Sequence, residues 1–172
     1  MKKLLAVIDM QNDFVTGSLG STDASSIIPA VRTKIKQELE LGTDIVFTKD
    51  THDEDYLSTE EGKNLPVIHC IQGKWGWDII PELTDLAAGR PIFEKNTFGS
   101  LDLARYALDN SYDEIELAGL CTDICVISNA MLLKAFIPNA SISVDAPCCA
   151  GVTPESHNNA LEAMKMCHIK IN

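Results

Sequence analysis

Positive charge is scarce in this chain. Fourteen lysines and arginines stand against 25 aspartates and glutamates in 172 residues, a net charge of −11. Nucleic acids and anionic membranes are bound through clustered lysine and arginine, so neither is expected as a partner. No apolar run approaches the ~20 residues that cross a bilayer. Residues 1–8 hold two lysines and a short apolar stretch, but Asp9 ends it too early for an export signal. The segment reads as a first strand, and the protein as cytoplasmic. Linkers, low-complexity tracts and internal repeats are also missing, so one domain over residues 1–172 is expected, long enough for one sizeable core. Six cysteines are present, at 70, 121, 125, 148, 149 and 167. Without an export signal and with an adequate core they read as free thiols, not a disulfide framework.

What is there is alternation. Residues 4–9 form a short apolar run of the kind found in buried parallel strands. Ile28, Val31, Ile35 and Leu39 recur at helical spacing, with Gly42 as a stop. Further strands are expected at 44–49, 91–94, 114–119, 141–145 and 169–171. Helices are expected at 101–108 with Ser100 as N-cap, at 126–136, and at 154–166 with Thr153 as cap and Pro154 in the first turn. Strands alternating with helices predict an α/β fold, three layers α/β/α around a central, mainly parallel six-stranded sheet. Residues 51–90 break the alternation. A loop of that length is usually functional or disordered, and its two tryptophans and two histidines favour function.

Open α/β sheets bind ligands at the carboxyl ends of their strands. Asp9, Lys95 and Cys125 each follow a strand there. They supply a proton acceptor and donor, a fixed positive charge and a nucleophile. Cys125 falls near the start of a helix, whose partial positive charge favours thiolate. Singly, each has a plainer explanation: a turn residue, a solvated lysine, a small core side chain. Their coincidence is what points to chemistry. Asp50 and His52 are two apart in an extended segment and project to the same side. With His69 they can hold one divalent ion and leave positions open. Glu60 or Glu61 can add a further ligand, or be solvated charge. His157 and His168 lack partners at ligand spacing and read as structural.

Together these segments resemble the isochorismatase-like cysteine hydrolases, most closely the nicotinamidase/pyrazinamidase branch, over essentially the whole chain. Val7-Ile8-Asp9-Met10-Gln11-Asn12-Asp13-Phe14 is similar to the family's first-strand motif. Phe93-Glu94-Lys95-Asn96-Thr97-Phe98 is similar to its lysine motif, and Gly119-Leu120-Cys121-Thr122-Asp123-Ile124-Cys125-Val126 to its nucleophile motif. Asp50-Thr51-His52 and Pro66-Val67-Ile68-His69-Cys70 resemble its metal-binding segments. The resemblance implies a Rossmann-like fold and hydrolysis of a small aromatic carboxamide, such as nicotinamide, through a thioester. That chemistry serves pyridine nucleotide salvage. Asp9, Lys95 and Cys125 would be catalytic. The backbone N–H groups of Cys121 and Cys125 would form the oxyanion hole, with a cis peptide before Cys121. Asp50, His52 and His69 would hold the metal, zinc first, with iron and manganese as alternatives. Phe14 would wall the pocket, and Trp75 or Trp77 would stack on the substrate ring. The family often assembles, so a homo-oligomer is a further expectation, although the sequence locates no surface for it. Other hydrolases of this fold act on N-carbamoyl compounds, ureides or isochorismate and generally lack the metal set. A non-catalytic small-molecule binder on the same scaffold would not need all three of Asp9, Lys95 and Cys125.

Two departures stand out. Thr51, Asp53 and Tyr56 replace the Trp, Pro and second His usual in the metal segment. Position 121, commonly Ala, is Cys. It is either a tolerated small side chain or a partner for oxidative pairing with Cys125.

Overall fold

The computed structural model describes residues 1–172. Six strands form one parallel sheet in the order β3-β2-β1-β4-β5-β6. They are β1 (Lys3–Ile8), β2 (Asp44–Asp50), β3 (Ile92–Lys95), β4 (Glu114–Leu120), β5 (Ser141–Ala150) and β6 (Lys170–Ile171). The helices are α1 (Asn12–Val15), α2 (Thr22–Ser26), α3 (Ile28–Glu40), α4 (Glu60–Asn64), α5 (Pro81–Ala87), α6 (Leu101–Asp109), α7 (Ile127–Phe136) and α8 (Pro154–Met166). Ser100 caps α6 through Leu103 N–H, and Thr153 with Ser156 forms a reciprocal capping box on α8.

Alternation along β1 builds both faces of the core. Leu4, Ala6 and Ile8 pack with Leu103, Ala107, Leu133, Leu161 and Met164 from α6, α7 and α8. Leu5 and Val7 pack with Val31 and Ile35 from α3 and Leu83 and Leu86 from α5. A central parallel strand needs apolar side chains on both faces, which is why residues 4–8 lack polar alternation.

Two expectations require correction. β5 runs to Ala150, not to 145. Its register with β4 shifts between Leu117 and Gly119, because Pro147, which has no N–H, falls inside an irregular stretch before pairing resumes at Cys149. Residues 51–90 are not one loop. They contain α4, α5 and 3-10 turns at Tyr56–Ser58 and Trp75–Trp77, each too short to show periodicity.

The sheet also carries a buried ionic network. Glu38 of α3 accepts from Thr43 Oγ1 at 2.6 Å, Lys3 Nζ at 2.9 Å and Lys34 Nζ at 3.0 Å. Lys34 Nζ also reaches Glu116 at 2.8 Å and Asp145 at 3.4 Å. Burial opposes the Glu38 carboxylate, but these donors outweigh it and hold its pKa down at about 2. A carboxylate depressed on folding stabilises the fold above its unfolded value of 4.5, and that stability is lost as pH falls toward 2. Acid titration of the melting temperature should show this step. Glu38→Gln should flatten it at a cost of roughly 2 kcal/mol near neutrality, with the part-exposed lysines limiting the effect.

Candidate active site

The direction of winding reverses between β1, whose crossover goes to β2 on one side, and β4, whose crossover goes to β5 on the other, and the crevice opens at the carboxyl ends of these two strands. Asp9 follows β1, Asp50 ends β2, Lys95 ends β3, and Cys125 lies in a π-helical turn, Thr122–Val126, just beyond β4. Gly119 makes the approach close. At its φ of 119° a Cβ would collide with the carbonyl of Ile8, so only glycine lets β4 run against the end of β1 here. Asp9 itself has φ 47°, the left-handed region that aspartate tolerates better than most residues. The Leu120–Cys121 peptide is cis.

Asp9 is fully buried. Thr48 Oγ1 donates to its Oδ1 at 2.6 Å, and Lys95 Nζ lies 2.6 Å from its Oδ2. The same ammonium is 3.5 Å from Cys125 Sγ and 3.4 Å from Asp50 Oδ1. Burial pushes the Asp9 carboxyl up, and Lys95 opposes that. Burial and the Asp9 charge push the Cys125 thiol well up, again against Lys95. The Lys95 ammonium is retained, because the charges of Asp9 and Asp50 outweigh its desolvation. This corrects the expectation of a thiolate favoured by a helix terminus. Cys125 is the fourth residue of its turn and buried at the cavity floor, so burial and the Asp9 charge favour its thiol form beside the Asp9–Lys95 pair.

Asp50, His52, Glu61 and His69 bring four donor atoms within 4.8 Å of one another. Asp50 Oδ2 is 2.9 Å from His52 Nε2 and 3.4 Å from His69 Nε2, while Glu61 Oε1 is 3.6 Å and 3.8 Å from the same nitrogens. Metal bonds of about 2.0–2.2 Å set the ligands of one ion roughly 3–4 Å apart, so this donor set fits one. His69 is prepared for it. Its Nδ1 lies 2.7 Å from the Val67 carbonyl, which can only accept, so in the neutral ring the Nε2 lone pair faces Asp50 and Glu61 and is open to a cation. Charge agrees as well. Asp9, Asp50 and Glu61 face one ammonium, and burial together with Asp50 pushes Glu61 up, a penalty a divalent cation would relieve. Two imidazoles and two carboxylates suit zinc, iron or manganese alike.

Between the two groups lies a cavity of about 890 Å³, lined by Phe14, Asp50, Glu61, His69, Phe98, Cys121, Ile124 and Cys125, among others. Phe14 lines this cavity, its ring centroid 5.6 Å from that of His69. The tryptophans do not. Trp75 is 60% exposed and lines a different cavity. Trp77 lies under Lys49 and donates from Nε1 to Thr51 Oγ1. The cause is local. Asn12 and Gln11 donate to the carbonyls of Trp75 and Trp77, at 2.7 Å and 2.9 Å, and fix that turn with its indoles away from Cys125.

Glu61, left open beside Glu60, is the glutamate that reaches the histidines, because the Thr59 N-cap places it on the inner side of α4. Tyr56 packs against both His52 and His69, at 4.6 and 4.9 Å between centroids, and so supports the ligands. Gln11 went unnoticed, and its amide clamps both the N–H and the carbonyl of Asp50, at 2.7 and 2.8 Å. A glutamine after a strand has no sequence signal for that role. His157 is structural as expected, with Nδ1 2.7 Å from Thr122 Oγ1. All six cysteines are free, and burial pushes the Cys121 thiol up to about 12, which works against its oxidation with Cys125 at neutral pH.

A sequence model of the isochorismatase domain matches residues 3–171. An isochorismatase family protein of Bacillus subtilis is 30% identical, over 94% of this chain and 93% of its own length. The nicotinamidase/pyrazinamidase of Mycobacterium tuberculosis is 25% identical, over 98% and 97%. The crystal structure of a pyrazinamidase from Pyrococcus horikoshii in complex with zinc superposes with a TM-score of 0.86 at 30% identity, covering 100% of this chain and 99% of that one. No helix is long and apolar enough to cross a membrane. By the span of the domain match and by this likeness over full length, the chain belongs to the isochorismatase family.

Proposed function

We propose that the protein is a metal-dependent amidohydrolase acting on the C–N bond of a small aromatic carboxamide, with nicotinamide as the leading substrate. One observation carries the reading: Cys125, backed by Lys95 and Asp9, lines the same cavity as Asp50, Glu61 and His69 of the donor set. Isochorismate, N-carbamoyl and ureide hydrolysis would leave the second group without work. The nicotinamidase and pyrazinamidase relatives point the same way.

The chain's own residues divide the task. Cys125 Sγ attacks the carboxamide carbon while its proton passes to Asp9. The N–H groups of Cys121 and Cys125 receive the charge that develops on the carbonyl oxygen. Protonated Asp9 then delivers that proton to the amide nitrogen, the C–N bond breaks and ammonia leaves a thioester. Water attacks the thioester, gives a proton to Asp9 and releases the acid, and the proton returns to Sγ. Lys95 holds Asp9 in place and keeps it ionised between steps. A divalent ion on Asp50, His52, Glu61 and His69 would supply a Lewis-acidic anchor for a ring nitrogen. Phe14 offers an apolar wall to the ring. Free thiols throughout suit a reducing compartment, in keeping with a cytoplasmic enzyme.

Ammonia release over nicotinamide, pyrazinamide, an N-carbamoyl amino acid and ureidoglycolate tests this. The expected result is turnover of the two aromatic amides, one divalent ion per chain, loss of at least about 100-fold on chelation, and recovery with zinc, iron or manganese. Chelator-insensitive turnover of the N-carbamoyl compound would replace the reading with its nearest rival.

A further inference from the structure

Successive side chains on a strand point to opposite faces, so Lys49 leaves β2 on the face away from Asp50 and the metal donors. There, beside Phe47 and α5, it lines a second cavity of about 550 Å³ between β2, edge strand β3 and α5. Lys49 is 7% exposed. Only one other lysine is buried to that degree, Lys95, and it is held by two carboxylates. Lys49 has neither an ion pair nor a hydrogen bond. Its Nζ sits over the Trp77 ring, 2.7 Å from the centroid; burial pushes its pKa down, and the charges of Asp78 and Glu94 oppose that. A buried ammonium whose only close partner is a ring retains unused donors.

We propose that this groove is a second small-molecule site, distinct from the Cys125 cavity, and that it takes an aromatic monocarboxylate. The lining sets the class. Lys49 supplies the buried cation and Arg90 a further positive charge. Trp75, largely exposed, and Ile92, 41% exposed at the sheet edge, offer a flat apolar bed for a ring. Asp78 lies on the same wall and repels ligands of higher negative charge, so a phosphate or dicarboxylate is disfavoured. The site does not depend on the reaction assigned to Cys125. It abuts that machinery all the same, because Lys49 precedes Asp50, and Gln11, which clamps Asp50, also donates to Trp77.

The two tryptophans make the groove directly observable, since they are the only ones in the chain and neither lines the Cys125 cavity. Benzoate, which has no ring nitrogen for the metal centre, is the probe. Titration into the metal-loaded protein should give a saturable change in tryptophan fluorescence and a shift of the Trp75 indole N–H signal. Cys125→Ala should bind benzoate with unchanged affinity, and in that variant benzamide, its neutral analogue, should bind at least tenfold more weakly. Lys49→Met, which keeps an unbranched apolar chain of similar length, should weaken benzoate at least tenfold. Ala88→Glu, at an exposed position on the groove wall, should do the same without disturbing the core. Absence of a saturable signal, affinity unchanged from wild type in the two groove variants, or loss of the signal in Cys125→Ala would each overturn the proposal.

Discussion

Cys125→Ala is expected to lower amide turnover by at least about 10⁴-fold while leaving the fold and metal content intact, the scale seen when a covalent nucleophile is removed from a unit that acts together. The structural cost should be small. The thiol is buried, but alanine removes a single heavy atom, about 1 kcal/mol of packing. Melting temperature and metal stoichiometry should therefore match wild type within error, and that separates a chemical defect from a folding one. Cys125→Ser sharpens the test. Serine keeps the size and a proton, but the hydroxyl is far harder to ionise than the thiol, so it should be nearly as inactive. The resting state bears on this. Because burial and Asp9 keep Cys125 a thiol, deprotonation belongs to the attack step, and alkylation in the absence of substrate should be slow at neutral pH and rise only on the alkaline side. Substantial turnover in Cys125→Ala would end the cysteine mechanism, whatever happens to the metal.

Much of this was legible from residue order. The strands are apolar runs because both faces of a parallel sheet are covered, and the ends of β1, β3 and β4 put Asp9, Lys95 and Cys125 at one edge whatever the loops do. Asp50 and His52 were readable from their two-residue spacing. What could not be read depends on short-range geometry inside residues 51–90. Trp75 looked like a stacking residue because the segment is aromatic and lies near the histidines. Its direction was decided by hydrogen bonds from Asn12 and Gln11, more than sixty residues earlier in the chain. Glu61 and Glu60 are equivalent as letters, and the N-cap at Thr59 distinguishes them. The expected thiolate failed for a similar reason. A helix start is visible in sequence, but the depth at which it is buried is not.

Lys95→Met is the substitution with the largest expected effect on stability, and it should abolish activity as well. Lys95 and Asp9 form a fully enclosed pair at 2.6 Å, and Asp50 lies 3.4 Å from the same ammonium. Removing one member of a buried pair strands the other charge, at a cost of about 3–5 kcal/mol. The protein can relieve part of this by protonating Asp9, but a protonated Asp9 cannot accept the Cys125 proton, so turnover should fall by roughly 10³-fold or more even in molecules that remain folded. Asp9→Asn combined with Lys95→Met separates the two effects. With both charges gone, the double variant should be more stable than Lys95→Met alone while remaining inactive, a non-additivity expected only when the two groups act on each other directly. Chemical denaturation of the four proteins at neutral pH, with metal supplied throughout, measures that coupling. Additive effects would mean that Lys95 serves Asp50 and the metal centre more than Asp9. Asp9 would then be held in place chiefly by Thr48, whose hydroxyl donates to its Oδ1 at 2.6 Å.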